Sequence, residues 1–399
     1  MTTSRLSRRQ FAALALPATL PSAPKGPNER INLGVIGSGE RGQALIRDVE
    51  RCRDLNVAVT AVCDIWRPNR DKAAAQAAKI WGETPRSTED YRELLAWDSV
   101  DAVLIATPDY SHSRILKAAV EAGKDAYCEK PMGTDFAEAK AAYLAVKATG
   151  QVVQIGTQRR SDPRYVAAAR LVQSGILGKV TRVVVSVNFF EPRWRRDYSD
   201  VRDADVAWGH LLARNPNPRP EARRLRQWQL FREYTNGIPG LWMSHFVDLI
   251  PWFLNDPYPA AAVASGGVYF WKDGRETEDV FHALLEYPTE CLFSFSMSLT
   301  NSEGNQHLWL GTRGTLDMDR YVLSGRGTTA PDRIEREITI EPEEVNSHMA
   351  NFIECIRSRR QPRADVEAGF RHSVAGCMAA IARDTGRKVY FDPVRLEII

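Results

Sequence analysis

The stretch Ile31-Asn32-Leu33-Gly34-Val35-Ile36-Gly37-Ser38-Gly39-Glu40-Arg41-Gly42 decides the fold. An apolar run of strand type ends in Gly-x-Gly-x-x-Gly, and a segment of helical character follows, which is the context that the dinucleotide-binding fingerprint requires. The first glycine permits a tight turn, the second lets the backbone approach a pyrophosphate, and the third lets the helix pack on the strand. Free N–H groups at the helix start attract the phosphates. We therefore expect the phosphate-binding loop to comprise Gly37, Ser38, Gly39, Glu40, Arg41 and Gly42.

A second apolar strand, Val57–Cys63, leads to Asp64, which lies 22 residues beyond Gly42. An acid at about this distance hydrogen-bonds the adenosine ribose hydroxyls. Its charge would repel a 2′-phosphate, so Asp64 favours NAD over NADP, although Arg67 could weaken that preference. The alternative is a glycine turn in some other α/β protein.

Composition is that of an ordinary globular chain of 399 residues, 44% hydrophobic and 26% charged, which is long enough for two domains. The formal charge is +3, and in the first 29 residues Arg5, Arg8, Arg9 and Lys25 outnumber Glu29 by three. Because the remainder is neutral, charge gives no reason to expect nucleic acid or an anionic membrane as a partner.

The N-terminus is typical of a twin-arginine export signal. The pair Arg8-Arg9 precedes an apolar run at residues 11–20. Ten residues are too few to span a bilayer as a helix, which needs about 20. We expect residues 1–29 to form this signal or a tail and the protein to be exported to the periplasm; a basic tail on a cytoplasmic protein is the alternative. No other segment is predicted to span a membrane.

The cysteines form no C-x-x-C pair and no metal-ligand pattern, so we expect them to be free and expect no metal site. Free thiols fit folding in a reducing compartment. The six are Cys52, Cys63, Cys128, Cys291, Cys355 and Cys377.

Strand and helix patterns alternate over residues 30–153, which predicts a Rossmann domain, a doubly wound parallel sheet with right-handed crossovers. Residues 154–399 predict a C-terminal α+β domain for substrate binding and oligomerisation, with a large, mostly antiparallel, open sheet. The last helix can pack back on the first domain. An irregular segment rich in arginine and tryptophan, residues 189–240, interrupts the second domain, and long loops of this kind are usually functional. The fold class is therefore α/β.

Several motifs occur in the order found in one known family, and with them the chain resembles the glucose–fructose oxidoreductase / inositol dehydrogenase / rhizopine catabolism (Gfo/Idh/MocA) family over about residues 30–395. Glu-Lys-Pro after a Rossmann strand is the most specific of them. Besides the glycine fingerprint and Asp64, these are Ala106-Thr107-Pro108-x-x-x-His112, Glu129-Lys130-Pro131, Gly156-Thr-Gln-Arg-Arg160 and Gly178-Lys-Val180.

The resemblance implies a nicotinamide cofactor on the first domain and a sugar or cyclitol held between that domain and the second sheet. It implies that Glu129 reaches toward the nicotinamide ribose and that Lys130 touches both the nicotinamide end and the substrate. Family members often form dimers or tetramers through the sheet. The residues assigned to the cofactor in this way are Thr107, Pro108, His112, Glu129, Lys130 and Gln158.

Lys130 is also favoured by position, because it follows a parallel strand at the edge where open α/β sheets bind ligands. A lysine there can stabilise alkoxide character, and a desolvated lysine can pass protons. His245 is the second catalytic candidate, since its ordinary pKa lies near working pH. Asp248, three residues on, can orient it or pack. Many family members carry a further acid at the position of Leu241, and its absence departs from the family pattern.

Other substrate candidates are weaker. Aromatic rings stack on sugar faces, and arginines bind sugar hydroxyls or a carboxylate, but each of these side chains could equally belong to the core or the rim. They are Arg159, Arg160, Trp194, Tyr234 and His210, beside His245 and Asp248.

An exported dehydrogenase has no nicotinamide pool around it, so a tightly bound and internally recycled cofactor is expected. The first hypothesis is an NAD(P)-dependent oxidoreductase that removes hydride from a carbinol carbon of a sugar, sugar derivative or cyclitol. The alternative is an NAD-dependent, redox-neutral glycosidase that works by oxidation, elimination and reduction and resembles the family's α-N-acetylgalactosaminidases. A sugar-binding protein on an inactive Rossmann fold is the third reading, but Lys130 and all three glycines are intact.

Overall fold

A computed structural model describes Gly26 and residues 29–399. The twin-arginine motif and the apolar run after it lie outside the described residues. Over the described part of the chain, no helix has both the length and the apolar character needed to cross a bilayer.

The N-terminal sheet has six strands, all parallel, in the order β3-β2-β1-β4-β5-β6. The strand order reverses between β1 and β4, and open α/β sheets bind ligands beside such a switch point. Helices cover both faces, so β4 is buried along its whole length. The strands are β1 Ile31–Ile36, β2 Val57–Cys63, β3 Arg86–Thr88, β4 Ala102–Ile105, β5 Asp125–Cys128 and β6 Val153–Ile155.

Most of the longer helices begin where the sequence supplies a cap. The side chains of Asp135, Asp162, Ser347 and Asp365 each accept a hydrogen bond from a backbone N–H of the first turn. The α-helices are α1 Glu40–Glu50, α2 Arg67–Trp81, α3 Tyr91–Leu95, α4 His112–Glu121, α5 Phe136–Thr149, α6 Pro163–Gln173, α7 Ala222–Arg226, α8 Ser244–Val247, α9 Leu249–Phe253, α10 His348–Ser358 and α11 Val366–Thr385. A π-helical turn, Pro239–Met243, leads directly into α8.

The second sheet has ten strands in the order β14-β13-β12-β11-β7-β10-β9-β8-β15-β16. Every pairing is antiparallel except that of β7 with β10, which is parallel. The expected fold class is thus confirmed. The strands are β7 Val180–Asn188, β8 Ala261–Gly267, β9 Val280–Tyr287, β10 Cys291–Ser298, β11 Gln306–Gly311, β12 Gly314–Asp317, β13 Val322–Ser324, β14 Ile338–Thr339, β15 Val389–Asp392 and β16 Glu397–Ile398.

Helix α11 joins the two halves. On one side its His372 Nε2 accepts a hydrogen bond from the backbone N–H of Met132 at 3.1 Å, and Ser373 Oγ accepts one from Gly133 at 3.1 Å. On the other side the helix packs on β8. The segment that follows β5 is thereby held against the C-terminal half of the chain.

Candidate active site

A cavity of about 710 Å³ opens at the carboxyl ends of β1, β2, β4 and β5, and segments from both halves of the chain form its walls. Ser38 and Gly42 do not line it, although they belong to the same glycine loop. The cavity brings together the other residues expected to bind the cofactor: Gly37, Gly39, Glu40, Arg41, Asp64, Thr107, Pro108, His112, Glu129, Lys130 and Gln158.

The glycine loop fits a dinucleotide. Gly37 has a φ of +84°, and a Cβ on it would lie 2.5 Å from the backbone nitrogen of Thr107. A Cβ on Gly42 would lie 2.1 Å from the Gly37 oxygen, so α1 could not approach the loop. A Cβ on Gly39 would meet only Asn69, at 3.5 Å, which leaves open space beside the start of α1. No side chain caps this helix, so its first N–H groups are available to phosphate.

Asp64 is fixed against the same loop. Its Oδ2 accepts hydrogen bonds from the backbone N–H of Ser38 at 2.8 Å and from its hydroxyl at 3.2 Å, and Oδ1 accepts one from Trp66 N at 2.9 Å. Burial raises the pKa of Asp64, and the hydrogen bonds from Trp66 and Ser38 oppose that rise. Arg67 forms an ion pair with Asp205.

The carboxylate of Glu129 is already engaged by protein donors. Its Oε1 accepts hydrogen bonds from Arg41 Nε at 2.6 Å, from Gln158 Nε2 at 3.1 Å and from the Tyr127 hydroxyl at 3.2 Å. This network ties the glycine loop to the ends of β5 and β6. Glu129 therefore lines the cavity and also holds the side chains of Arg41 and Gln158, which line it too.

His112 bridges two loops of the cavity wall. Its Nε2 lies 2.8 Å from the main-chain oxygen of Thr107, after β4, and its Nδ1 lies 2.8 Å from that of Pro131, after β5. The ring is almost fully buried. Both ring nitrogens are thus occupied by main-chain carbonyls, and the histidine fixes the spacing of the loops that flank Lys130.

Lys130 crosses the cavity between the two halves. Its Nζ donates a hydrogen bond to the main-chain oxygen of Leu241, 2.8 Å away, in the π-helical turn. π-Helical turns are frequent at functional sites. Burial lowers the pKa of Lys130 to about 8, against the opposing charges of Glu129 and Asp109.

His245 lines the cavity beside Leu241. Burial, and then the charges of Lys130 and Arg159, lower the pKa of His245 well below its usual range. At neutral pH its imidazole is therefore uncharged, able to donate or accept a single proton. The Arg159 guanidinium donates to the His245 main-chain oxygen at 2.9 Å and lies 4.0 Å from the ring of Phe246.

Trp194 and His210, from the irregular segment, line the cavity, but four other substrate candidates do not. Arg159 contacts α8, through the main-chain oxygen of His245 and the ring of Phe246. Arg160 and Asp248 form a buried bidentate ion pair, with N–O distances of 2.8 and 3.0 Å. Tyr234 is buried in an aromatic and aliphatic cluster, edge-on to Tyr110. Each of these four side chains is committed to packing or to an internal partner, and its assignment to substrate stays a prediction.

Sequence reasoning missed two parts of this site. Asp109 lines the same cavity as Lys130, although it is only 2% exposed. Its place directly after Thr107-Pro108, at the end of a strand, was the available signal. The contacts of Trp66 with the irregular segment are the other part, and no local motif marks them.

The described residues contain no group of three or more His, Cys, Asp or Glu side chains placed to hold a metal ion. All six cysteines are described, and each is buried and unpaired.

A glycine loop, an acid after the second strand and a lysine around one cavity are the features of a dinucleotide-binding protein with a second domain over its cleft. Two models of one oxidoreductase family match: the NAD-binding Rossmann fold over residues 31–157 and the C-terminal α/β domain over residues 169–391. The chain belongs to this Gfo/Idh/MocA family.

Two curated relatives are similar to part of the chain. An uncharacterized oxidoreductase, YrbE, of Bacillus subtilis is 31% identical over 153 residues, and an inositol 2-dehydrogenase/D-chiro-inositol 3-dehydrogenase of Shouchella clausii is 35% identical over 150 residues. These matches cover 38% and 37% of this chain, and each spans 42% of the relative.

Solved structures resemble nearly the whole chain. The WlbA dehydrogenase of Bordetella pertussis, in complex with NADH and UDP-GlcNAcA, has a TM-score of 0.70 at 19% identity and covers 91% of this chain and 99% of its own. An aldose-aldose oxidoreductase of Caulobacter crescentus has a TM-score of 0.68 at 19% identity and covers 91% and 100%. At this identity the likeness shows the fold alone.

Proposed function

We propose that this protein is an NAD-dependent oxidoreductase that removes hydride from a carbinol carbon of a sugar, sugar derivative or cyclitol. We propose further that its dinucleotide stays bound and is returned to its starting state within each catalytic cycle. The position of Lys130, a partly buried amine in the wall of a cavity that also contains the glycine loop and Asp64, carries the first part. The dehydrogenases among the relatives are consistent with it.

Different residues of the cavity would bind the cofactor, stabilise charge on the substrate and exchange protons. Gly37, Gly39 and the start of α1 would hold the pyrophosphate, and Asp64 would hold the adenosine ribose. When bound, a nicotinamide dinucleotide supplies the hydride acceptor. Lys130 Nζ stabilises negative charge that develops on the substrate oxygen as the hydride leaves. His245, uncharged at neutral pH, can exchange a proton with a neighbouring hydroxyl.

Retention of the cofactor rests on residues 191–229, here called the strap, which cross from the second domain to the ribose side of the cleft. Val206 pairs with Trp66 in an antiparallel bridge, and Ala207 N donates to the main-chain oxygen of Ile65 at 2.8 Å. Asp205 pairs with Arg67. These contacts anchor the strap immediately after Asp64, where the adenosine would lie.

The strap also contacts the rest of the cleft. The Arg226 guanidinium lies 4.7 Å from the centre of the Trp66 ring, and Arg196 forms an ion pair with Glu40, at the start of α1, over 3.5 Å. A dinucleotide beneath these contacts could not leave before several of them broke. Slow exchange favours a reaction that regenerates the cofactor in place.

Two chemistries satisfy this condition. In one, oxidation of a first carbohydrate is followed by reduction of a second. In the other, transient oxidation of a glycoside labilises a ring substituent, which is eliminated before the ring is reduced again. The strap supports both, and the oxidoreductase is preferred because Lys130 suits hydride chemistry on a carbinol directly.

Other parts of the proposal rest on the sequence. We propose NAD as the cofactor rather than NADP, because Asp64 faces the ribose position and Arg67 is paired with Asp205. We also propose a domain boundary near residue 153, a homodimer or homotetramer, and export through the twin-arginine signal.

The test is to mix purified protein, without added cofactor, with single sugars and cyclitols and to follow the absorbance of reduced nicotinamide. The proposal predicts a single-turnover rise with an oxidisable substrate and its reversal when a ketose or aldose acceptor is added. Release of aglycone from aryl glycosides, with no lasting absorbance change, would select the glycosidase. No change with any carbohydrate, on protein shown to contain oxidised dinucleotide, would contradict both.

A further inference from the structure

Asp109 is a buried carboxyl group in the wall of the cavity. It begins the 3₁₀ turn Asp109–Ser111, directly after β4 and Thr107-Pro108, and it lines the same cavity as Lys130. Burying a carboxyl group away from water costs free energy unless hydrogen-bond or charge partners offset the loss of solvation. The partners of its two oxygens therefore indicate what it can do.

The two oxygens have different surroundings. Oδ2 accepts a hydrogen bond from the Thr235 hydroxyl at 2.8 Å, and that hydroxyl in turn accepts one from Gly237 N at 3.2 Å. Oδ1 is buried and has no hydrogen-bond partner among the described residues. Because Oδ2 already receives a proton donor, a proton added to this carboxyl group belongs on Oδ1.

The charged groups that face Asp109 come from both halves of the chain: Lys130, after β5, and Arg214, in the strap. Burial raises the pKa of Asp109 to about 7, against the opposing effects of Thr235, Arg214 and Lys130. The carboxyl group and the amine therefore titrate close together, and each shifts the pKa of the other.

On the opposite wall of the cavity, which the second domain forms, none of the described lining residues is an aspartate or a glutamate. Residue 241 is a leucine, and Lys130 Nζ takes its main-chain oxygen as acceptor. When hydride leaves a carbinol, the hydroxyl proton must pass to a base. Asp109 is the carboxyl group of the cavity wall that combines burial, an unpartnered oxygen and a mutual charge interaction with Lys130.

We propose that Asp109 is the terminal proton acceptor for Lys130 and replaces the acid that position 241 lacks. The inference rests on the proposed function. The Lys130 ammonium first gives one proton to Oδ1 of Asp109 by way of a solvent molecule, because Oδ1 has no hydrogen-bond partner among the described residues. As the C–H hydride passes to the oxidised nicotinamide dinucleotide, the substrate hydroxyl then gives its proton to the neutral Nζ. Lys130 ends with its original charge, Asp109 ends as the neutral acid, and the substrate ends as the carbonyl compound.

The first test compares pH profiles of single-turnover oxidation. Asp109→Asn preserves shape but cannot accept the proton, so we expect the rate to fall about 100-fold, the lower end of the range for general acid–base catalysis. Wild-type activity should rise with pH through about 7, because Asp109 must be ionised to accept a proton. Asp256→Asn, which removes a buried carboxylate outside the cavity that accepts from Thr289 N, should leave the rate and the profile unchanged.

Thr235→Val separates proton transfer from a structural role. Loss of the donor to Oδ2 destabilises the ionised carboxyl group, so the acid limb of the profile should move to higher pH. The same substitution in the Asp109→Asn background should not move the profile. An equal shift in both backgrounds would overturn the proposal.

Restoring an acid on the opposite wall gives a third test. Leu241→Asp, combined with Asp109→Asn, should recover at least about tenfold of the lost rate, because the new carboxyl group also reaches the amine. No recovery in a double variant that folds and retains its dinucleotide would contradict the role of Asp109.

A readout without substrate distinguishes failure of this inference from failure of the proposed function. Difference infrared spectroscopy should detect a protonated carboxyl group that titrates across neutral pH and is missing in Asp109→Asn. If that group titrates but no carbohydrate reduces the nicotinamide, the proposed function fails and the assignment of Asp109 as a proton acceptor remains. If no such group titrates, Asp109 is not a proton acceptor for any substrate.

Discussion

Lys130 Nζ donates a hydrogen bond to the main-chain oxygen of Leu241 over 2.8 Å, and this contact links the end of β5 to the π-helical turn of the second domain. One proton of the amine is thereby directed away from the cofactor loops. The amine is held by a neutral carbonyl at this point, so its charge is not cancelled there. A lowered pKa, to about 8, follows from its burial.

Replacing Lys130 should abolish turnover without emptying the cofactor site, because the predicted phosphate and ribose contacts lie elsewhere. Lys130→Ala is expected to lower the single-turnover rate by about 10²- to 10⁴-fold. Lys130→Arg should be nearly as slow, since guanidinium does not give up its proton. Lys117→Ala, in an exposed ion pair on α4, is the control. Unchanged activity in Lys130→Ala would remove the proposed role.

Replacing Asp64 should change the choice of dinucleotide. Loss of its charge removes repulsion of a 2′-phosphate, so Asp64→Ala is expected to shift the ratio of affinities toward NADP by about tenfold, which is about 1.4 kcal/mol. Arg67→Ala should leave the ratio unchanged, because Arg67 is paired with Asp205. Titration of the emptied protein with each dinucleotide measures the ratio, and no gain for NADP in Asp64→Ala would count against the ribose assignment.

Loosening the strap should speed release of the bound dinucleotide. Arg226→Ala removes the guanidinium from Trp66, a contact worth about 0.5–2 kcal/mol, so the release rate should rise about 2- to 30-fold. Arg86→Ala removes the same kind of contact from Trp97, away from the cavity, and should have no effect. Displacement of bound NADH by excess NAD, followed by fluorescence, gives both rates. Equal rates in the two variants would mean that the strap does not retain the cofactor.

The ion pair of Arg160 with Asp248 should affect stability rather than substrate binding. Asp248→Asn leaves the guanidinium buried without its counter-charge, which is expected to cost about 3–5 kcal/mol in the free energy of unfolding at neutral pH. Asp48→Asn, in an exposed pair, should cost less than about 1 kcal/mol. Denaturant titration measures both. A variant of normal stability with a raised KM would instead place Asp248 at the substrate.

The same ion pair predicts how the free energy of unfolding changes with pH. Burial alone would raise the pKa of Asp248, but Arg160 and His372 outweigh it and the pKa is lowered. Its stabilising effect should therefore be fully present above the unfolded-state pKa of about 3.9 and disappear as pH falls through the folded-state value. The difference in unfolding free energy between wild type and Asp248→Asn should shrink in acid, and a constant difference would contradict the assignment.

The parallel half of the fold could be predicted from sequence because its signals are local. A glycine turn, buried apolar runs and capping residues such as Asp135 each act within a few residues. Strand Val57–Cys63 has the bounds that its apolar pattern predicted. The parallel pairing of β7 with β10 could not be predicted in this way, because register between distant strands depends on the whole sheet.

In the candidate site too, residues marked by local sequence signals could be predicted, and those placed by distant contacts could not. The residues that follow strands, such as Asp64 and Lys130, were identified because the carboxyl edge of the sheet gathers them. Arg160 and Asp248 are 88 residues apart in sequence, and nothing local indicates that they would pair in the interior. The contact of Arg226 with Trp66 likewise depends on the path of an irregular segment.

The most direct test of the account is the dinucleotide content of the purified protein. Denaturation, followed by absorbance and mass analysis of what is released, should yield NAD or NADH in a ratio approaching one per chain, even after extensive dialysis. That result would support a retained and recycled cofactor. A protein that releases none, and then binds NAD weakly and reversibly, would contradict it and indicate an ordinary dehydrogenase that exchanges its cofactor in every turnover.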